Sequence, residues 1–372
     1  MTVKLEKALY GCIESAKLWY DLISSKLIEL GYTQNPYDVC VFNKTMNEVQ
    51  LTVTLYVDDL MMTCASEELL DSAIAEVQSL FQGSTVHRGK LHSYLGMVFD
   101  FTTDGSVSVK MDGYVDDIIK EYGVTGTAAS PASTDLFDID ASSERLDTSM
   151  AEEFHSRVAK ILYMAKRARQ DLLTAIGFLA TRVQQSTQQD RAKLDRALRY
   201  LNANKDLWIT LTVGDSYAVE AYIDASYGVH QDGKGHTGVC ISIGSGFFYV
   251  SSTKQKLVSK SSTEAELIGV SDGLSQVIWV RNFLRAQGHD TGPAVLWQDN
   301  KSTLALIEKG RSTSSRTKHI SIRYFFVTDR VKSGRVTLQY KPTDQMVADL
   351  LTKPVQGELF RYLRGVLLNL DR

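Results

Sequence analysis

The chain has 372 residues, 44% of them hydrophobic and 23% charged, with a formal net charge of −3. That length suggests two or three domains, and that composition excludes a disordered, fibrous or disulfide-framed chain. No apolar run reaches the length of a membrane span, the charged start "MTVKLEKALYG" lacks the apolar core of a signal peptide, and four scattered cysteines (Cys12, Cys40, Cys64, Cys240) show no metal spacing, which points to a reducing compartment.

"ESAKLWYDLISSKLIELGY" carries Leu18, Trp19, Leu22, Ile23, Leu27 and Leu30 at helical spacing and stops at Gly31. "VCVFNK" and "EVQLTVTLYV" read as strands around a turn at Thr45–Asn47, and "DLMMTCA" as a further strand. Asp58 and Asp59 therefore fall at a tight turn inside an apolar run, where a carboxylate must be solvated, paired or bound to a cation. "SEELLDSAIAEVQSLFQG" reads as a helix, and "HSYLGMVFDF" and "SVSVKM" flank the hairpin signal "TTDGS". From about Val124 to Met150 the periodicity collapses, which predicts a linker. Residues 151–203 predict two or three helices. Strands follow from Leu207 ("WITLTV", "AVEAYIDAS", "TGVCISIG", "FFYVSST"). Helices are expected at 263–286, 300–309 and 316–333, with strands "AVLWQ" and "RVTLQYK" between them. "VQGELFRYLRGVLLNL" predicts an amphipathic helix whose apolar face packs or mediates association.

Charge is unevenly spread. Eleven acids stand against Lys120 and Arg145 between Asp112 and Glu153, whereas ten basic residues stand against Asp171, Asp190 and Asp195 between Ser156 and Arg199. The second stretch is either a set of solvated helix faces or a grip on a polyanion. In the latter case Arg157, Lys166, Arg167, Arg169, Arg191, Lys193, Arg196 and Arg199 supply the phosphate contacts.

An ordered series of motifs makes the sequence similar to a known family. "KLEKALYGCIESAKLWY", "LYVDDLMM", "YLGM", "ILYMAKRARQDLLTAI", "VSKSSTEAEL", "QDNKSTLAL", "SRTKHISIRY" and "VADLLTKP" together resemble the carboxyl-side part of a copia-type retrotransposon Pol polyprotein, a reverse transcriptase followed by ribonuclease H. The resemblance implies an α+β fold: a partial palm (1–122), a linker (123–150), a helical thumb or connection (151–214), a ribonuclease H-like mixed sheet flanked by helices (215–354) and a final helix (355–372). It implies that Asp58 and Asp59 are two of three carboxylates holding two Mg²⁺ roughly 3.5–4 Å apart. The family's third carboxylate lies on a strand before the "ALYG" block, and the one acid ahead of Tyr10 here is Glu6. Glu14 stands where the family has a nucleotide-contacting glutamine, and a carboxylate there opposes a triphosphate. Primer extension by these residues alone is therefore not expected.

For the nuclease, the resemblance implies a Mg²⁺-binding set (two ions, with Mn²⁺ as an alternative) of Asp224, Glu266, Asp299 and Asp349. Each has an ordinary alternative. Asp299 reads equally as a helix N-cap, Glu266 as the third residue of a capping box with Thr263, and Asp349 as an exposed residue of a helix capped by Thr343 or Asp344. Ser261 with Glu264 offers a second capping pattern that leaves Glu266 free. "KGRSTSSRTKHISIR" is basic, and Arg311, Arg316, Lys318 and His319 are expected to meet substrate phosphate. The implied partners are an RNA–DNA hybrid, a template–primer duplex and the remainder of a polyprotein, with no membrane. The implied location is the cytoplasm, in the element's particle, or the nucleus. The competing reading is a non-catalytic nucleic-acid-binding relic.

Overall fold

The computed structural model describes residues 11–81, 83–214, 216–310 and 321–370. Contacts divide the chain into two compact units, one of residues 1–95 with 282–289 and one of residues 96–281 with 290–372.

In the first unit the helical spacing after Cys12 produces α1 (Ile13–Glu29), with Ile23 and Leu27 buried. The strands β1 (Thr33–Asn35), β2 (Asp38–Met46), β3 (Val49–Tyr56) and β4 (Asp59–Cys64) pair antiparallel in that order. Along β3, Leu51, Val53 and Leu55 are buried while Gln50, Thr52 and Thr54 are not, the period-2 alternation of a sheet with one face in the core. The β2–β3 turn lies at Asn47 and Glu48 rather than at residues 45–47. Both turn residues have positive φ, and Thr45 and Met46 extend the ladder, as a two-residue hairpin requires. Helix α2 (Glu67–Leu80) is capped by Ser66, whose hydroxyl accepts from the Leu69 amide, and it buries Ala73 and Val77 in the same core. The short strand β5 (Leu91–Tyr94) follows.

The second unit opens with the predicted hairpin, β6 (Met97–Asp100) and β7 (Ser106–Lys110), then α3 (Asp112–Glu121). Helices α4 (Thr148–Ala165), α5 (Leu173–Ala180) and α6 (Gln188–Ala203) follow, then β8 (Ile209–Val213), β9 (Glu220–Ser226), β10 (His236–Ser242), β11 (Gly244–Ser245) and β12 (Tyr249–Lys254). The chain continues through α7 (Ser262–Ala286), β13 (Ala294–Gln298), α8 (Lys301–Lys309), α9 (Ser321–Lys332), β14 (Val336–Tyr340) and α10 (Gly357–Leu368). β7 joins β8 antiparallel and β8 joins β11. The central sheet has the order β12-β10-β9-β13-β14. Its first three strands are antiparallel, whereas β9–β13 and β13–β14 are parallel. The fold is α+β, with a mixed sheet flanked by helices.

Two expectations are revised by packing. Residues 123–147 contain no helix or named strand, residues 148–150 already belong to α4, and the segment is not a free tether. Ala132, Leu136 and Leu146 are buried in the main core, and the Ser130 hydroxyl lies 2.9 Å from Ala132 O and 2.7 Å from Gln356 Oε1, within hydrogen-bond reach of both. The basic surplus of residues 151–203 is largely consumed inside the protein. The Arg169 guanidinium is buried, donates to both carboxylate oxygens of Asp171 at 3.0 and 2.8 Å and caps Asn204 O. Burial alone would raise the Asp171 carboxyl, but Arg169 and a 2.6 Å hydrogen bond from Tyr200 outweigh it and hold it low. Buried Lys193 donates to Leu136 O at 2.8 Å. Arg157 pairs with Glu153, and Arg196 donates to Ser130. Lys166 and Arg199 stay exposed.

α10 resolves the choice left by its pattern. Phe360, Leu363, Leu367 and Leu368 are buried within the unit, so its apolar face packs at home. No helix among the described residues is long and apolar enough to cross a membrane.

Candidate active site

The carboxylates of the central sheet are brought together by its topology. β9 and β13 run parallel, so their carboxyl ends lie on one side. Their ladder covers only residues 220–222 against 295–297. Beyond it Asp224, near the end of β9, and Asp299, one residue past β13, stand where the two strands are no longer joined. A crevice at the carboxyl ends of parallel strands is the usual ligand position in open sheets of this kind.

α7 supplies the third group. Ser261 accepts from the Glu264 amide at 3.2 Å, and the Glu264 carboxylate accepts from the Lys260 amide. With the helix start served this way, Glu266 is released to the sheet. Asn300, not Asp299, caps α8 by accepting from the Thr303 amide at 3.0 Å. Ligand atoms of Asp224, Glu266 and Asp299 all lie within 4.8 Å of one another. The first two are buried and the third is half-buried.

Two of the partners of these carboxylates, Gln298 and Thr352, stand inside the quoted motifs, whose pattern did not assign them this role. Gln298 donates to Glu266 at 3.2 Å while its carbonyl oxygen accepts the amides of Asp299 and Asn300 at 2.8 and 3.0 Å. Thr352 donates to Asp224 and Thr343 to Asp299 at 2.8 Å. Burial, then the charges of Asp224 and Asp299, push the Glu266 carboxyl up to about 9.

Asp349 departs from its expected setting. It sits in a short 3-10 segment, Val347–Leu351, rather than in a longer helix, and it is buried. It does not join the three converging carboxylates. Its Oδ1 takes a 2.7 Å ion pair from the Lys353 ammonium, whose nitrogen also lies 3.6 Å from Asp224. Burial, then Asp224, push the Asp349 carboxyl up to about 7.

A buried polar chain supports this segment. The single hydroxyl hydrogen of Ser252 goes to Leu351 O at 2.7 Å, so its oxygen accepts from His236 Nε2 at 2.8 Å. His236 Nδ1 then accepts from His230 Nε2 at 3.0 Å. Burial pushes both imidazoles down, to about 3 for His236 and about 4 for His230, so both are neutral at physiological pH. One signal was available in the sequence: two histidines six apart around a Gly-rich turn, on the edge of an apolar strand.

The first unit holds the other acids. Tyr56 pairs with Asp59 across the β3–β4 hairpin, leaving Val57 and Asp58 as its turn. Val57 has φ +51°, a region a β-branched residue rarely adopts. The Trp19 indole holds the turn by donating to Val57 O at 2.6 Å. Asp58 and Asp59 are exposed, as is Glu14 in the first turn of α1. Among the described residues no third acid joins the aspartate pair in a metal-compatible group. Arg311, Arg316, Lys318 and His319 lie outside the described residues.

Comparison with known proteins agrees with the motif series. Residues 1–134 match the family described as reverse transcriptase (RNA-dependent DNA polymerase). The Retrovirus-related Pol polyprotein from transposon RE1 of Arabidopsis thaliana is 28% identical over 96% of this chain and 24% of its own length. That from transposon TNT 1-94 of Nicotiana tabacum is 25% identical over 97% of this chain and 28% of its own. The chain is similar to retrovirus-related Pol polyproteins of transposons along nearly its whole length. It spans about a quarter of the length of those curated relatives. A prototype foamy virus protease-reverse transcriptase, covering 94% of this chain and 40% of its own, superposes with a TM-score of 0.27 at 12% identity, too weak a likeness to carry a fold assignment.

Proposed function

We propose that the chain is the carboxyl-side part of a retrotransposon reverse transcriptase with an attached ribonuclease H. Its domains are a partial palm (1–122), the packed connector (123–150), a thumb or connection (151–214), the nuclease (215–354) and the closing helix (355–372). The observation that supports the nuclease best is the convergence of Asp224, Glu266 and Asp299 at the carboxyl ends of two parallel strands. The donors are all carboxylate oxygens, with no cysteine or histidine among them, which suits a hard divalent cation such as Mg²⁺ or Mn²⁺. Glu266 is raised first by burial and then by the charges of Asp224 and Asp299, and a cation would relieve that repulsion.

Asp224, Glu266, Asp299 and Asp349 are the proposed ligands. A divalent cation held by these carboxylates would supply activation of water and charge stabilisation at the leaving 3′ oxygen in cleavage of the RNA strand of an RNA–DNA hybrid. Gln298, Thr343 and Thr352 hold the carboxylates in place, and burial keeps bulk water from competing. Arg311, Arg316, Lys318 and His319 are proposed to meet the substrate backbone. Asp58 and Asp59 are proposed polymerase ligands and Glu14 a nucleotide neighbour, acting on a template–primer duplex with the remainder of a polyprotein as partner.

The test is a labelled RNA–DNA hybrid incubated with the full chain, with single-stranded RNA and duplex DNA as controls. The expected result is Mg²⁺-dependent loss of the RNA strand, abolished by Asp224→Asn while circular dichroism stays unchanged. A second reading, a nucleic-acid-binding protein without catalysis, is favoured by one observation: Lys353 already neutralises part of the acidic site. A folded chain that binds the hybrid but leaves its RNA intact in Mg²⁺ and Mn²⁺ would establish it.

A further inference from the structure

The four acids of the nuclease site are divided by their partners. Asp224, Glu266 and Asp299 face one another with hydroxyl and amide donors around them, whereas Asp349 faces an ammonium. Lys353 Nζ lies 2.7 Å from Asp349 Oδ1 and 3.6 Å from Asp224 Oδ2, bridging the acid outside the trio to an acid inside it. A second cation shared by Asp224 and Asp349 would be held by the same two carboxylates. Two positive charges cannot share that place. At about 4 Å, unlike the favourable ammonium–carboxylate pair, an ammonium and a divalent ion repel strongly in a partly desolvated site.

The covalent arrangement keeps the ammonium close to this place. Lys353 follows Asp349 by four residues, at the end of the 3-10 segment, and its amide donates to Asp349 O at 3.0 Å. Backbone and side chain thus both tie it to the acid it neutralises. Its side chain is nevertheless 42% exposed, against 2% and 6% for Asp224 and Asp349. A four-carbon stem with that exposure can turn its ammonium into water without unpacking the core.

We propose that Lys353 is a stand-in for the second cation: the free protein holds one divalent ion on Asp224, Glu266 and Asp299, and the ammonium occupies the second position until it is displaced. This inference rests on the metal-site reading above. Lys353 is a positioning residue in this scheme, keeping Asp349 aimed at the site and setting the order in which cations enter. The natural displacing agent is the substrate, whose phosphate offers the ammonium another anion while bringing oxygen ligands to the second ion.

The experiment is isothermal calorimetry with Mn²⁺ on the full chain without nucleic acid, in an Asp58→Asn/Asp59→Asn background so that the exposed hairpin acids do not contribute. The expected result is one bound ion with Lys353 present and two with Lys353→Met, the second site tightening roughly tenfold or more once the opposing charge is gone. Lys353→Arg keeps the charge and should keep the stoichiometry at one, which separates a charge effect from damage to packing. Circular dichroism and thermal melts of each variant report folding independently. Two ions bound by the Lys353 protein, or equal binding by it and the methionine variant, would overturn the proposal while leaving the metal site standing. Absence of any ion sensitive to Asp224→Asn would remove the metal-site reading and this inference together. Failure of the methionine variant to fold, with the arginine variant binding two ions, would also overturn it.

Discussion

Gln298 and Glu266 are joined by a 3.2 Å hydrogen bond, and the same glutamine receives the amides of Asp299 and Asn300 on its carbonyl oxygen. One buried side chain therefore fixes two of the three converging carboxylates, one through its own atoms and one through the backbone that carries it. Gln298→Leu preserves approximate volume but leaves the Asp299 and Asn300 amides without that acceptor. The expected cost is about 1–3 kcal/mol in urea unfolding, the usual range for stranding buried polar groups, together with weaker Mn²⁺ binding. Unfolding and calorimetry with the wild-type values would show that the glutamine positions nothing.

Stability without a cation should depend on pH in a specified direction. The Glu266 carboxyl rises from an ordinary value of 4.5 to about 9 in the folded chain, so between those values the folded state binds more protons than the unfolded state. Stability from this group is complete below about 4.5 and is lost as pH rises through 9. Glu266→Gln should flatten the decline and make the metal-free chain more stable at pH 8, on the order of a few kcal/mol. Added Mg²⁺ should flatten it for the wild type. Thermal melts at pH 5, 7 and 8.5 with a chelator check the sign; a wild-type melting temperature that climbs with pH while Glu266→Gln stays level would contradict it.

Gly238 lies opposite Asp224 in the β9–β10 register. A Cβ at that position would stand 2.7 Å from Leu351 Cβ and 2.9 Å from Ala348 O. Gly238→Ala should thus push the segment bearing Asp349 off the sheet, at a cost of about 1–3 kcal/mol, and shift the amide exchange of residues 347–352. Wild-type exchange in that segment would mean that it does not depend on close packing at the glycine.

The buried Arg169–Asp171 pair predicts stability rather than affinity. Arg169→Met strands the Asp171 carboxylate in the core and is expected to cost about 3–5 kcal/mol in denaturant unfolding. Replacing both residues, Arg169→Met with Asp171→Leu, should recover much of the loss. A stable single variant that bound duplex less tightly would instead restore the phosphate-binding role suggested by the charge pattern.

Nucleic-acid binding in the helical region should fall to the exposed cations. Lys166→Ala with Arg199→Ala is expected to lower the log–log salt slope of duplex binding by about 0.9 for each phosphate that is no longer neutralised. Fluorescence anisotropy across a salt series checks it, and a slope unchanged by the double replacement would move the binding surface elsewhere.

The sequence by itself determined the local elements and the similarity to known proteins. The strand Val49–Tyr56, the helical spacing in Ile13–Glu29 and the full extent of Ala294–Gln298 follow from side-chain pattern, which acts within a few residues. The ordered motifs named the relatives. What the pattern could not settle was which polar groups meet. Glu266 and Asp299 each had a satisfactory local use in helix capping; the sequence offered Ser261 with Glu264 as an alternative for the first, and the structure uses Ser261 and Asn300 and lets the acids converge. The same limit explains Arg169 and Lys193, counted as surface charge from sequence but buried against Asp171 and against backbone carbonyls of the connector. Burial is a property of residues far apart in the chain, and it alone decides whether a charge faces water, a counter-charge or a cation. Lys353 is the clearest instance: its place four residues after Asp349 is written in the sequence, but its reach to Asp224, 129 positions away in the chain, exists only once β9 and the 347–352 segment are packed together.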